Sequence, residues 1–268
     1  MKRNILTVPI QKIEPGANVS EQDLVAVEEP LQIRLGEHDV AITMRTPGCD
    51  RELAVGFLFT EGLVRTPDEI ADVRADDRGT ITVDFSGGIQ ADIDARRFYV
   101  TSSCGICGKA SIDALRAAGC AMLPCSQQKL PAGLIPHLPQ KLREAQTIFQ
   151  HTGGLHAAGL FNIAGELIYV REDVGRHNAV DKVIGAAFLA RRLPLKDHVL
   201  MLSGRVSFEL VQKAVMAGIA IVVAVGAPSS LAIETALRFG VTLIGFVRGD
   251  RFNVYAGAER LQMPASRY

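Results

Sequence analysis

The runs His198-Val199-Leu200-Met201-Leu202, Ile219-Ala220-Ile221-Val222-Val223-Ala224-Val225 and Val241-Thr242-Leu243-Ile244-Gly245-Phe246-Val247 decide the fold class. Each is short and apolar. Between them, residues 207–217 and 230–239 carry the spacing of helices. Strands too apolar to keep a solvated face, alternating with helices of this length, predict a mostly parallel sheet covered on both sides. Working outward, residues 178–191 predict another helix. Residues 159–163 and 166–171 predict a hairpin turning at Ala164-Gly165, and residues 139–150 a helix before it. The C-terminal half therefore reads as a three-layer α/β/α unit.

The N-terminal half reads differently. The first twenty or so residues are polar and predict an extended, irregular arm. Residues 31–35 and 38–46 alternate as a hairpin across Gly36-Glu37. Residues 49–63 repeat Leu53, Gly56, Phe57, Thr60 and Leu63 at helical spacing. Residues 81–85 and 89–93 predict a second hairpin, and residues 97–101 a short strand. A smaller α+β domain over residues 1–127 is the expectation, followed by a domain over 128–268. The proline-rich stretch 124–139 would act as the linker.

Composition narrows the function. The 268 residues carry 29 basic and 29 acidic side chains, which argues against a nucleic-acid-binding stripe. No apolar h-region follows the basic Lys2-Arg3, and the longest apolar run, 219–225, is far short of a membrane span. Five cysteines, unevenly placed and without an export signal, predict a cytoplasmic protein that keeps thiols for chemistry or metal.

In a parallel sheet every strand ends at the same edge, and ligands bind in the crevice there. The loops expected at that edge are Glu172-Asp173-Val174-Gly175-Arg176-His177, Ser203-Gly204-Arg205, Gly226-Ala227-Pro228-Ser229-Ser230 and Arg248-Gly249-Asp250-Arg251. Arg205, Arg248 and Arg251 near the helix starts at Ser207 and Ser230 suit phosphate or another anion. The plainer reading makes the glycines turn residues and leaves the arginines in solvent. Neither G-x-G-x-x-G nor G-x-x-x-x-G-K-[ST] occurs.

The cysteines offer several chemistries. Thr101-Ser102-Ser103-Cys104-Gly105-Ile106-Cys107-Gly108-Lys109 sets a CxxC pair at the start of a predicted helix over 109–118. Unpaired backbone N–H groups and the helix dipole favour thiolate there. Cys104, Cys107, Cys120 and Cys125 also have the spacing of a four-thiolate zinc site, although Cys120 and Cys125 look like apolar fillers. Disulfide exchange fits less well, because no βαβ unit surrounds the pair. His156-Ala157-Ala158 with the later Pro228-Ser229-Ser230-Leu231 is laid out like the H-x-E and P-C-x-x-C of zinc nucleobase deaminases. The proton-shuttling Glu and both zinc cysteines are missing, which excludes deamination. Asp173, Arg176, His177, Asn178, Asp181 and Lys182 crowd one helix start. Asp173 as a cap and Asp181 paired with Arg176 or a neighbour of Lys182 is the structural reading. His177 as proton donor or hydrogen-bond partner to an incoming sulfur is the functional one.

Ser103-Cys104-Gly105-Ile106-Cys107-Gly108, Thr152-Gly153-Gly154-Leu155-His156-Ala157-Ala158, the string of residues 172–182, Ser203-Gly204-Arg205 and Gly245-Phe246-Val247-Arg248 occur in one order. Together they resemble the formate dehydrogenase accessory sulfurtransferase family (FdhD), over the chain from the first hairpin to near the C-terminus. The resemblance implies a cytoplasmic sulfurtransferase and a C-terminal domain of cytidine-deaminase-like fold without its zinc. Sulfur would arrive as a persulfide from a cysteine desulfurase and pass to the molybdenum cofactor of formate dehydrogenase. That cofactor is the Mo-bis(molybdopterin guanine dinucleotide) form, with no metal held permanently. Cys104 would carry the persulfide, and Cys107 would modulate or resolve it. Phe246, Val247, Arg248, Gly249, Asp250 and Arg251 would lie in the cofactor site, and Ser203, Gly204, Arg205 and His177 join them from the loop reading. Partners would be the desulfurase, formate dehydrogenase and the guanine nucleotide part of the cofactor, with the chain as a homodimer and no nucleic acid or membrane. The competing reading is a non-catalytic chaperone of the cofactor, its CxxC structural or zinc-bound.

Overall fold

Consecutive strands joined by loops of a few residues must run antiparallel, and this shapes the central sheet. The computed structural model describes residues 4–87, 121–124 and 129–263. In the C-terminal half, β8 (His156–Asn162), β9 (Leu167–Asp173), β10 (His198–Leu202), β11 (Ile221–Ala224), β12 (Thr242–Arg248) and β13 (Arg251–Ala256) form one sheet. Its order is β13-β12-β11-β10-β8-β9. Only the pairs β10–β11 and β11–β12 are parallel. The hairpins β8–β9 and β12–β13 and the β8–β10 pairing are antiparallel, so the sheet is mixed, not mostly parallel. The parallel expectation holds where helices intervene and fails where tight turns do.

Alternation along these strands feeds two cores. Ala158, Leu160, Leu200, Leu202, Val222 and Leu243 pack with α4 (Arg176–Leu189), α5 (Phe208–Met216) and α6 (Ser230–Phe239). Ala157, Phe161, Val199, Met201, Val223 and Ile244 face α2 (Leu138–Ala145) and the 3₁₀ turn Ala132–His137. The helix expected over 139–150 is broken at Gln146 (φ −82°, ψ 83°), and α3 (Thr147–Thr152) follows. Nor is the stretch before α2 a slack linker. Leu130 and Ile135 are fully buried, and β7 (Leu130–Pro131) pairs with β14 (Leu261–Gln262).

The N-terminal half forms a sheet of order β4-β3-β6-β5. The hairpin of β3 (Glu29–Leu35) and β4 (His38–Arg45) is as expected. Strand β6 (Thr80–Phe85) lies between β3 and β5 (Ile70–Ala75); residues 89–93, the expected second arm of its hairpin, and residues 97–101 and 109–118 lie outside the described residues. Val73 is the only buried residue of β5, which explains why alternation did not reveal it. The N-terminal arm is a regular hairpin, β1 (Ile5–Glu14) with β2 (Ala17–Ala26), turning through Gly16 at φ 81°. Helix α1 (Asp50–Thr60) closes this half.

The halves meet where α1 crosses α4. A Cβ placed on Gly56 would lie 1.9 Å from the Asp181 carbonyl oxygen, and one on Gly185 would lie 1.9 Å from that of Glu52. Only glycine allows the two backbones this close. One hydrophobic core then runs through Leu53, Val55 and Leu58 into Val180, Val183 and Ile184.

Candidate functional site

Antiparallel pairing brings the start of β8 to the same edge as the ends of β9 and β10. His156 stands opposite Asp173, and Ala158 opposite Leu202. His156-Ala157-Ala158 is thus strand, not the helix start that the deaminase layout required.

Most of the string 172–182 is spent on structure. The Glu172 carboxylate accepts from the N–H groups of Ile148 (2.9 Å) and Phe149 (2.7 Å), fixing α3. Asp173, fully buried, pairs with Lys182 at 2.7 Å and accepts from the backbone of Thr46 and Gly175 and from Asn178 Nδ2. Lys182 also donates to the Thr46 carbonyl at 2.9 Å, and Asn178 donates to that of Met44 at 2.8 Å. Asp181 receives both Lys213 (2.8 Å to each oxygen) and the Thr60 hydroxyl (2.8 Å). The partner of Asp181 is therefore Lys213 on α5, neither Arg176 nor a neighbour of Lys182. Burial pushes the Asp181 carboxyl up and outweighs the opposing pull of Lys213.

Arg176 and His177 are left facing the edge. His177 Nε2 lies 3.1 Å from the Ser207 hydroxyl and 3.9 Å from the Glu209 carboxylate. Burial, with Lys213 and Arg176 adding to it against Glu209, lowers its pKa to about 4. At neutral pH the ring is uncharged, a hydrogen-bond partner and not an imidazolium acid. His156 is lowered as well, by burial first and by Arg176 and Arg205 against Asp173.

The strand-end loops form one continuous rim. Ser203 ties into β8 through its hydroxyl, which accepts from the Ala157 N–H at 2.8 Å. Gly226 donates to the Gly204 carbonyl at 3.1 Å and accepts from the Phe246 N–H at 3.2 Å. Phe246 has φ 55° in an irregular stretch of β12 and is 40% exposed. Val247 points into the core, whereas Arg248, Gly249, Asp250 and Arg251 are exposed at the β12–β13 turn. Among the described residues Arg205, Arg248 and Arg251 form no ion pair, so three guanidinium groups on this rim have their charge available to a ligand. Cys104, Cys107, Cys120 and Cys125 lie outside the described residues. Cys49, exposed, stands at the N-cap of α1.

Beside the rim, on the face covered by α2, opens a groove of about 620 Å³ that the sequence reading did not find. Arg143, Gln146, Phe149, His156 and Ser203 line it. Nothing in the local pattern marks Gln146, because its role depends on the break between two short helices.

The model of the FdhD/NarQ family matches residues 26–262. The chain belongs to the FdhD/NarQ family. Among FdhD relatives, the sulfur carrier protein FdhD of Nocardia farcinica is 46% identical, the match covering 94% of this chain and 93% of that protein. Its namesake in Sulfolobus acidocaldarius is also 46% identical, over 97% and 99%. The crystal structure of a candidate formate dehydrogenase accessory protein from Desulfotalea psychrophila superposes with a TM-score of 0.78 at 28% identity, covering 97% of this chain and all of that one. No helix among the described residues of this FdhD/NarQ protein is long and apolar enough to cross a membrane.

Proposed function

We propose that this FdhD/NarQ protein is a sulfurtransferase that serves formate dehydrogenase. Cys104 as thiolate attacks the outer sulfur of a cysteine desulfurase persulfide. The desulfurase S–S bond breaks, its thiolate leaves, and Cys104 holds the persulfide. Delivery passes the outer sulfur to the molybdenum cofactor and returns Cys104 as thiolate; the two electrons that turn this sulfane sulfur into a sulfide ligand come from two-electron oxidation of the cofactor, and Cys107 modulates the pair. The cofactor, a substrate here, rests its guanine nucleotide on the rim. The observation that carries this reading is the rim itself, where Arg205, Arg248 and Arg251 are exposed with no ion pair among the described residues and Phe246 is 40% exposed. Unpaired guanidinium groups suit pyrophosphate, and an exposed aromatic face suits a base.

Residues 128–268 read as a cytidine-deaminase-like domain without zinc, and 1–127 as its smaller companion. In support, α4 follows the β8–β9 hairpin from Arg176, and α5 and α6 follow β10 and β11 from Phe208 and Ser230, so helices connect strands of one sheet. The working form would be a cytoplasmic homodimer.

The test is intact-protein mass after incubation with a cysteine desulfurase and cysteine. A single added sulfur mapped to Cys104 is expected, and its absence leaves the chaperone reading. Full activation of formate dehydrogenase by Cys104→Ala, with activity abolished in Cys107→Ala, would reverse the assignment of the two thiols.

A further inference from the structure

Most of the β1–β2 arm stands clear of the rest of the described chain. All of β2 from Ala17 to Asp23 is exposed, with Val19 at 51%, and Ile13 of β1 is 70% exposed. A two-stranded ribbon is marginal in water unless further strands or a packed face support it. The main chain shows where support can attach. Val27 donates to the Asn4 carbonyl at 3.0 Å, and the regular register then makes Ile10–Glu21 and Lys12–Val19 hydrogen-bonded pairs. The residues between them turn their N–H and C=O groups outward, among them Pro9 on β1 and Asn18, Ser20, Gln22 and Leu24 on β2. Pro9 has no N–H, so it closes the β1 edge to another strand. On β2 the Leu24 N–H donates to the Asp23 carboxylate at 2.8 Å. Asn18, Ser20 and Gln22 remain, in a strand without proline, glycine or bulge, and no main-chain group among the described residues pairs with their outer side.

We propose that this edge pairs with the same edge of a second copy, β2 against β2 and antiparallel, about a two-fold axis at Ser20. The inference deepens the homodimer reading above and rests on it. Charge complementarity selects the occupant and the register. With each Ser20 opposite its mate, Asn18 stands opposite the partner's Gln22, and every such pair exchanges two main-chain bonds. On the other face Val19 meets the partner's Glu21 and Asp23 meets the partner's Ala17, so no like charges are opposed. An axis at Glu21 or Gln22 would set acidic side chains against each other. An axis at Val19 would shorten the overlap, because Gln22 would then face the turn at Gly16. The three edge positions also lack the lysines and prolines that guard an edge against pairing. Joined in this way, the arms make one four-stranded sheet whose outer strands are both β1. Pro9 closes each of them, so the assembly stops at two copies.

The experiment measures the mass of the full chain in solution by sedimentation or light scattering, with about twice 28.9 kDa expected. Ser20→Pro removes the outward N–H at the axis and leaves the β1–β2 ladder its own bonds. Ser20→Lys sets two ammonium groups face to face there, and carries the test should the proline variant fold poorly. Each should raise the dimer dissociation constant at least about tenfold. Ser20→Cys places Cα atoms about 5.5 Å apart across the axis, within disulfide reach. Mild oxidation should then give a covalent dimer beyond any that the wild-type chain gives, whereas Gln11→Cys on the closed strand should not. Wild-type dimer affinity in both Ser20→Pro and Ser20→Lys, or a dimer that Ser20→Cys fails to crosslink, overturns the pairing and leaves the homodimer reading standing. A wild-type chain that stays monomeric at every concentration sinks both. The sulfur adduct on Cys104 is read separately and bears on neither.

Discussion

Residues 172–182 and residues 246–251 both look like site sequence, dense in charged and polar side chains, yet the fold uses them in opposite ways. In the first, Asp173, Asn178, Asp181 and Lys182 are buried and each finds its partners in Thr43 to Thr46, Thr60 or Lys213. In the second, Arg248 and Arg251 stand exposed at a two-residue turn, without an ion pair among the described residues. A buried charge whose hydrogen bonds are all satisfied has little left for a ligand, whereas an exposed unpaired one loses nothing by meeting one. Density of polar residues in a motif is therefore a weak guide to chemistry, and what is left unsatisfied is a better one.

That contrast can be broken by experiment, beginning with the clasp. Gly185→Ala forces a methyl group onto the Glu52 carbonyl and should cost about 4 kcal/mol or more, or abolish folding, in urea or thermal denaturation. Lys213→Ala leaves Asp181 buried without its cation and should cost about 3–5 kcal/mol. A loss below about 1 kcal/mol in the Lys213 variant would mean the string is not the structural clasp described. At the rim the expectation is reversed. Arg248→Ala with Arg251→Ala should leave the melting temperature nearly unchanged, within about 0.5 kcal/mol per site, while weakening GDP binding about tenfold or more. Unchanged affinity would remove the rim from the cofactor site.

A last expectation is a pH dependence inside residues 172–182. The folded pKa of His177 is about 4, below the unfolded value of 6.5. Between those values the unfolded chain binds more protons, so this contribution is present above pH 6.5 and is lost as pH falls toward 4. His177→Gln should flatten that part of the stability profile, and a profile identical to wild type would show that the ring is not held neutral.

Legibility in the sequence followed packing. Helix α6 and the apolar strands of the central sheet were readable because burial on both faces writes itself into composition. Strand β5, with one buried side chain, and the β1–β2 hairpin, whose residues are mostly exposed, were not, since alternation appears only where one face is buried. The edge loops were legible too, as glycine after each strand, with arginine in three of the four. The pairing of Asp181 with Lys213 was not, because it depends on how α4 and α5 are offset, and no local spacing encodes that.

By itself, the sequence determined the α/β class of the C-terminal half, the rim residues and, through motifs in a set order, the family. Those properties rest on local composition and short-range spacing. Tertiary structure alone decided that the sheet is mixed, that the most motif-like string is a clasp, and that a groove opens beside the rim. Each of these is a question of which groups meet across the chain, and burial makes that meeting costly to leave incomplete.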